Sequence, residues 1–372
     1  MLDDFFDDAA RRDWEDAEAA TAGTAAGEPH RTAGSTQPTG TVRLALVGCG
    51  GYARTVSLPA MQAADYAEPT VVVSGDADKR RRLADEHGVT AIGYDEYGDG
   101  AATDEYDAVY VATPNRLHLP QVETAAAHGK HVICEKPLEA TVDRAERLVE
   151  ACDAAGVTLM TAYRVQTDPV TRRLREFVRA GGIGDPVRAF GEFSFSLLGG
   201  DSGPDQWRLD DELAGGGALY DVGVYPLNTA RFLLDDDPVA VSGSTRSSGD
   251  AFADVDEHVD FTVDFGDAVG HFAASYSGRQ HAHLSIHGSD GRLTVRSAYQ
   301  PNAAREVELD TADGHVEFSG VGVDDAREEF DYFAYAVLTG AAVEPDGADG
   351  LVDMRTMAGV YESDETGRTV EL

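Results

Sequence analysis

The chain is expected to fold as α/β in two parts, a doubly wound parallel sheet followed by an α/β domain with an open, mostly antiparallel sheet. Three observations predict this. A glycine run, Gly48-Cys49-Gly50-Gly51, follows directly on an apolar segment. Short apolar runs then alternate with amphipathic stretches over residues 42–162, the order that builds parallel sheets through helical crossovers. Beyond residue 163 the segments lengthen and alternate with period two, as antiparallel strands do when one face is covered. At 372 residues the chain also exceeds one ordinary domain.

Residues 1–41 are rich in Ala, Asp, Glu, Gly and Thr; 3–20 suit an acidic helix and 21–41 a flexible linker. A strand at 41–47 runs into the glycine loop, and a helix follows from about residue 53. A second strand at 70–73 leads to a helix at 78–87. Residues 108–112 (AVYVA) form a continuous apolar run, the mark of a parallel strand buried on both faces. A helix at 119–128, a strand at 131–134, a helix at 142–155 and a strand at 158–162 complete the first domain, 42–162. The second, 163–372, opens with a helix at 168–180. Its strands are expected at 187–197, 238–246, 257–265, 268–277, 281–288 and 291–297. Helices at about 218–234, 324–338 and 349–361 would cover one face.

Composition narrows the function. There are 67 acids against 30 bases, a net charge of -37, and Lys79, Lys130 and Lys136 are the only lysines. That sign opposes binding to phosphate backbones or anionic membranes. Acid dispersed along the whole chain repels itself in dilute buffer and is screened at molar salt, so a salt-adapted protein is expected. Cys49, Cys134 and Cys152 are odd in number and lack metal-ligand spacing, which fits a reducing, cytoplasmic setting. No stretch approaches the ~20 apolar residues of a membrane span.

Several motifs carry chemistry. Gly48, Gly50 and Gly51, with Tyr52 and Ala53 opening a helix, let the backbone approach a pyrophosphate at the helix N-terminus, the arrangement of a Rossmann domain. At the end of the second strand Ser74-Gly75 stands where a ribose-binding carboxylate would be, with Lys79 and Arg80 one turn on. This favours the 2′-phosphate of NADP, while Asp76 turned inward would restore NAD. Thr113, Pro114, Asn115 and His118 follow the apolar strand, and Glu135-Lys136-Pro137 ends the next; such loops line the ligand crevice of an open sheet. A lysine there activates a neighbouring acid–base group or binds a substrate hydroxyl. Gly215-Gly216-Gly217 opens a helix bearing Asp221 and Tyr225, four apart and so on one face. Tyr225 taken alone reads as a core tyrosine. His281, His283 and His287 share a strand face without a carboxylate partner, which favours a boundary face over a metal site, and no metal is expected.

The glycine loop, Glu135-Lys136-Pro137 and the Gly215–Pro226 segment, in this order, resemble the glucose–fructose oxidoreductase/inositol dehydrogenase (Gfo/Idh/MocA) family from about residue 42 onward. The resemblance implies hydride transfer at a sugar or cyclitol carbon and an open C-terminal sheet often used for homo-oligomer contacts. It makes Lys136, Asp221 and Tyr225 the catalytic and sugar-facing group. Many members have His where Tyr225 stands; a branch including dihydrodiol and pentose dehydrogenases has Tyr. Ser74-Gly75 with Lys79 matches that branch's NADP pattern. Tyr163-Arg164 and Gln206-Trp207-Arg208 match its ligand-facing segments, placing Arg164, Trp207 and Arg208 at the cofactor and Tyr163 at the sugar. Gln166 stands where relatives often carry His. The acidic composition, Arg11–Trp14 and Asp205–Gly216 resemble haloarchaeal pentose dehydrogenases, which implies oxidation of an aldose, D-xylose first, at C1 to the aldonolactone. Arg11–Trp14 is either an arm packed on the body or a disordered tail. A reductase of sugar ketones, a dihydrodiol dehydrogenase and a non-catalytic NADP-binding sensor are the competing expectations.

Overall fold

The computed structural model describes residues 11–15, 38–199, 203–301, 303–312, 314–320 and 322–372. The acidic helix expected over 3–20 and the linker over 21–41 lie largely outside them.

Six parallel strands form the first sheet: β1 (Val42–Val47), β2 (Ala67–Val73), β3 (Thr90–Ile92), β4 (Ala108–Val111), β5 (His131–Glu135) and β6 (Leu159–Ala162). Their order, β3-β2-β1-β4-β5-β6, reverses direction of travel between β1 and β4, and the crevice above that point is where a dinucleotide lies in such sheets. All four residues of β4 are buried, as its unbroken apolar run requires. β3 and the short helix Tyr94–Gly98 were not expected; at three and five residues they are too short for a periodic signal.

The second sheet has nine strands: β7 (Pro186–Ser196), β8 (Ala240–Arg246), β9 (His258–Asp264), β10 (Val269–Ser275), β11 (Ser277–Gly288), β12 (Gly291–Arg296), β13 (Glu306–Thr311), β14 (Gly314–Ser319) and β15 (Val370–Glu371). They run β14-β13-β12-β11-β7-β10-β9-β8-β15, antiparallel throughout except for β10 against β7. The hairpin β13–β14 was not expected. Its outward positions carry Glu306, Glu308 and Asp310, and that acid obscures the alternation of buried Val307 and Leu309.

The helix expected at 218–234 is a π-helical turn, Leu219–Gly223, running into the α-helix Val224–Leu234. Helix Asp325–Thr339 does not stay with the second sheet. Its Ala326, Phe330, Phe333 and Ala334 pack in the core formed by Leu44 and Leu46 of β1, Leu58 and Met61, so this one helix from the later part of the chain completes the first domain. Arg11–Trp14 is an ordered arm on that helix. Trp14 is buried edge-on to Tyr66, Tyr332 and Tyr335, and Arg12 binds Glu328 at 2.7 Å and Asp331 at 2.6 Å.

Candidate active site

The glycine loop is shaped by its neighbours. Gly48 has φ +97°, and a Cβ there would lie 2.7 Å from the carbonyl oxygen of Ala112 at the end of β4, so no other residue fits. Gly50 and Gly51 face open space. Residues 51–63 then run as one helix with a π turn at Ala53–Ser57, leaving its first N–H groups without intrahelical acceptors. An open cradle over a helix N-terminus suits a pyrophosphate. Asp76 does not turn inward. Its carboxylate caps helix Ala77–His87 by accepting from the Lys79 N–H at 2.9 Å. Arg80 Nη1 donates to the Ser74 carbonyl at 3.0 Å, and the charge of Lys79 acts on Cys49 in the glycine loop. Two cations beside a serine, with the nearby carboxylate occupied, fit a ribose 2′-phosphate.

The second cluster gathers at the ends of β5 and of the glycine-opened helix. Asp256 is buried and accepts from the N–H groups of Gly217 at 2.7 Å and Leu219 at 2.9 Å, which anchors the start of that helix. One turn on, Asp221 accepts from Lys136 Nζ at 3.2 Å and from Arg208 Nε at 3.0 Å; Nζ also donates to the Asp221 main-chain carbonyl at 2.7 Å. Burial pushes the Asp221 carboxyl up, but the charges of Arg208 and Lys136 outweigh it and hold the group at about 2. Burial would likewise lower the Lys136 ammonium; Tyr225, Asp221 and Glu135 outweigh that and keep it above the ordinary lysine value. Lys136 Nζ lies 4.7 Å from the centre of the Tyr225 ring. The three residues singled out as catalytic thus form one cluster.

Other expected residues divide. Trp207 stacks under the Arg208 guanidinium at 4.5 Å, beside Asp221. Glu135 turns its carboxylate inward to the Tyr110 hydroxyl and the Lys136 N–H. Thr113 is buried and Pro114 leads the turn Asn115–Leu117. Asn115 and His118, expected at the cofactor, have buried side chains with partners inside the protein. Asn115 Nδ2 donates to the Ala214 carbonyl at 2.8 Å, and His118 is fully buried between the carbonyls of Thr113 and Leu138. Tyr163, expected at the sugar, is buried facing Asp353, within a cluster of Arg231, Asp349 and Asp353. Gln166 belongs there too, donating to Asn228 and Asp349. Arg164 is buried, paired with Asp325 and with the Tyr299 carbonyl.

Sequence reasoning missed Asp256, Tyr276, whose hydroxyl faces Asp221, and Glu329. Among the described residues Glu329 Oε1 is buried without a hydrogen-bond partner, and burial, then the charge of Glu135, pushes its carboxyl well above the ordinary range. None sits in a local motif.

Residues 42–163 match the family described as "Oxidoreductase family, NAD-binding Rossmann fold", and residues 171–294 match "GFO/IDH/MocA C-terminal domain". A D-xylose 1-dehydrogenase (NADP(+)) of Haloarcula marismortui is 46% identical over 338 residues, covering 89% of this chain and 93% of its own. A D-xylose 1-dehydrogenase (NADP(+)) 2 of Haloferax volcanii is 35% identical, covering 88% and 98%. Among solved structures, the aldose–aldose oxidoreductase of Caulobacter crescentus complexed with glycerol superposes with a TM-score of 0.84 at 29% identity, covering 89% of this chain and 100% of its own.

Proposed function

Because the chain belongs to the Gfo/Idh/MocA oxidoreductase family, we propose that it oxidises an aldose, D-xylose first, at C1 to the aldonolactone with NADP+. The observation that carries this reading is the convergence of Lys136, Asp221 and Tyr225 beside the crevice. A non-catalytic sensor needs the glycine loop but not these three together.

In the oxidation C1 loses a hydride and its hydroxyl loses a proton. Bound NADP+ supplies the hydride acceptor. Tyr225 takes the hydroxyl proton, with the Lys136 ammonium 4.7 Å from the centre of its ring. Asp221 fixes Lys136 and Arg208, so neither cation is free to wander from the sugar. Gly48, Gly50, Gly51, Tyr52 and Ala53 would hold the pyrophosphate, and Ser74, Lys79 and Arg80 the 2′-phosphate.

We take 42–162 as the cofactor domain and 163–372 as the substrate domain, with helix Asp325–Thr339 returning to the first. The uncovered face of the nine-stranded sheet, where Phe190 lies 5.5 Å from the His271 ring and 5.2 Å from the His287 ring, is the surface for a homo-oligomer. Sedimentation in molar KCl tests that. Three buried free cysteines suit a reducing interior, and the location is assigned as cytoplasmic. Among the described residues no helix is long and apolar enough to cross a membrane.

The test is NADP+ and NAD+ reduction in molar KCl against aldoses and cyclitols, with product identification. The highest kcat/KM is expected for D-xylose with NADP+, yielding the lactone. Turnover of cyclitols alone would replace the substrate, and preference for NAD+ would replace the cofactor.

A further inference from the structure

Two arginines stand beside the catalytic cluster, and they differ in what their guanidinium groups still offer. Arg164 has both terminal nitrogens taken, by the Asp325 carboxylate and the Tyr299 main-chain carbonyl. Arg208 does not. Its Nε donates to Asp221 Oδ2 at 3.0 Å, and its guanidinium stacks on the Trp207 ring at 4.5 Å. Among the described residues no protein acceptor meets its terminal nitrogens, and its side chain is 31% exposed. The turn that carries it, Trp207–Leu209, is pinned on both sides. Gln206 Nε2 donates to the Gly203 carbonyl at 2.8 Å, and Asp210 caps helix Asp211–Ala214 by accepting from the Leu213 N–H at 3.1 Å. The guanidinium fork is therefore fixed in direction while its outer edge stays open.

We propose that Arg208 binds the sugar, its fork donating to two adjacent ring hydroxyls, and so selects substrates that carry both. Lys136 Nζ holds the other oxygen of the same carboxylate, Asp221 Oδ1, at 3.2 Å. The two cations thus share one carboxylate, with Lys136 on the side of Tyr225. With C1 at Tyr225, the hydroxyls that fall to Arg208 are the next along the ring, at C2 and C3. Adjacent hydroxyls are spaced closely enough to take one terminal nitrogen each, and a charged donor makes each bond stronger than a neutral one. Tyr276 also turns its hydroxyl to Asp221, so the carboxylate is satisfied within the protein and the fork is left to the ligand. A pyrophosphate matches a fork as well, but its open cradle lies at Gly50 and Gly51, on a different element.

The inference rests on the sugar oxidation proposed above, so wild-type turnover of D-xylose is measured first. Then kcat/KM is compared for D-xylose and its 2-deoxy and 3-deoxy analogues in the wild type, Arg208→Met and Arg208→Lys, with NADP+ Kd read by fluorescence. The ratio of wild type to variant for each sugar cancels that sugar's own reactivity. Arg208→Met is expected to lose roughly 10–100-fold on D-xylose, the worth of hydrogen bonds from a charged donor. The loss on either deoxy sugar is expected to be at least about fivefold smaller, with Kd unchanged. Arg208→Lys keeps a charge beside Asp221 but has no fork, and is expected to lose the same discrimination; it decides if the Met variant does not fold. Equal losses on all three sugars with unchanged Kd would reduce Arg208 to a partner of Asp221. Equal losses with weakened NADP+ binding would place it at the cofactor. Either result overturns this inference alone, whereas no turnover of D-xylose by the wild type overturns the substrate reading and this inference together.

Discussion

Lys136 donates to Asp221 twice, to its main-chain carbonyl at 2.7 Å and to its carboxylate at 3.2 Å. The first contact fixes where the ammonium sits, and the second keeps it charged. With its pKa held at about 2, Asp221 is ionised over the whole working range. Its contribution to stability is full above the unfolded value of ~3.9 and is lost as pH falls through about 2.

Tyr225→Phe should lower kcat by about 10²–10⁴-fold while leaving NADP+ affinity intact, because it removes a proton acceptor and little contact area. Lys136→Met should be at least as damaging. Steady-state kinetics with D-xylose checks both, and a near-normal kcat in either removes that residue from the reaction.

Selectivity for NADP+ depends on cations near Ser74. Lys79→Ala should raise KM for NADP+ roughly tenfold, the worth of one charge-assisted contact to a phosphate, and leave KM for NAD+ alone. An equal change for both cofactors would place Lys79 away from the 2′-phosphate.

Asp349 lies beside Arg231, Asp353 and Gln166, and burial raises its pKa from 3.8 to about 6. The folded form therefore binds a proton more tightly than the unfolded, and stability falls as pH rises between those values. Asp349→Asn should stabilise the protein by roughly 1–3 kcal/mol at neutral pH, with the gain shrinking below about pH 4. Denaturant melts at two pH values measure this; a destabilised variant at neutral pH would mean that the ion pair with Arg231 outweighs the burial.

The arm residue Trp14 sits at 6% exposure among three tyrosines. Trp14→Ala should cost about 3 kcal/mol, with helix Asp325–Thr339 losing hydrogen-exchange protection before the nine-stranded sheet does. Unchanged protection of that helix would make the arm a passive attachment.

Much of the fold and the heart of the site were legible in the sequence because their signals are local. Gly48 to Gly51 follow an apolar strand directly, Lys136 ends one, and Asp221 and Tyr225 are spaced by one helical turn. The supporting groups were not legible. Asp256 reaches Gly217 across 39 positions and Asp325 reaches Arg164 across 161, and no periodicity records such contacts. The same limit applies to side-chain direction. Which way Asn115, His118 and Tyr163 turn is decided by distant partners, Ala214, Leu138 and Asp353.

Hydride transfer from C1 is read directly by single turnover of NADP+ with D-xylose deuterated at C1. Transfer is expected to be slower than with protiated sugar, with deuterium recovered in the reduced cofactor, and slower again by about 10²–10⁴-fold when Tyr225 is replaced by Phe. Reduced cofactor carrying no deuterium would contradict it.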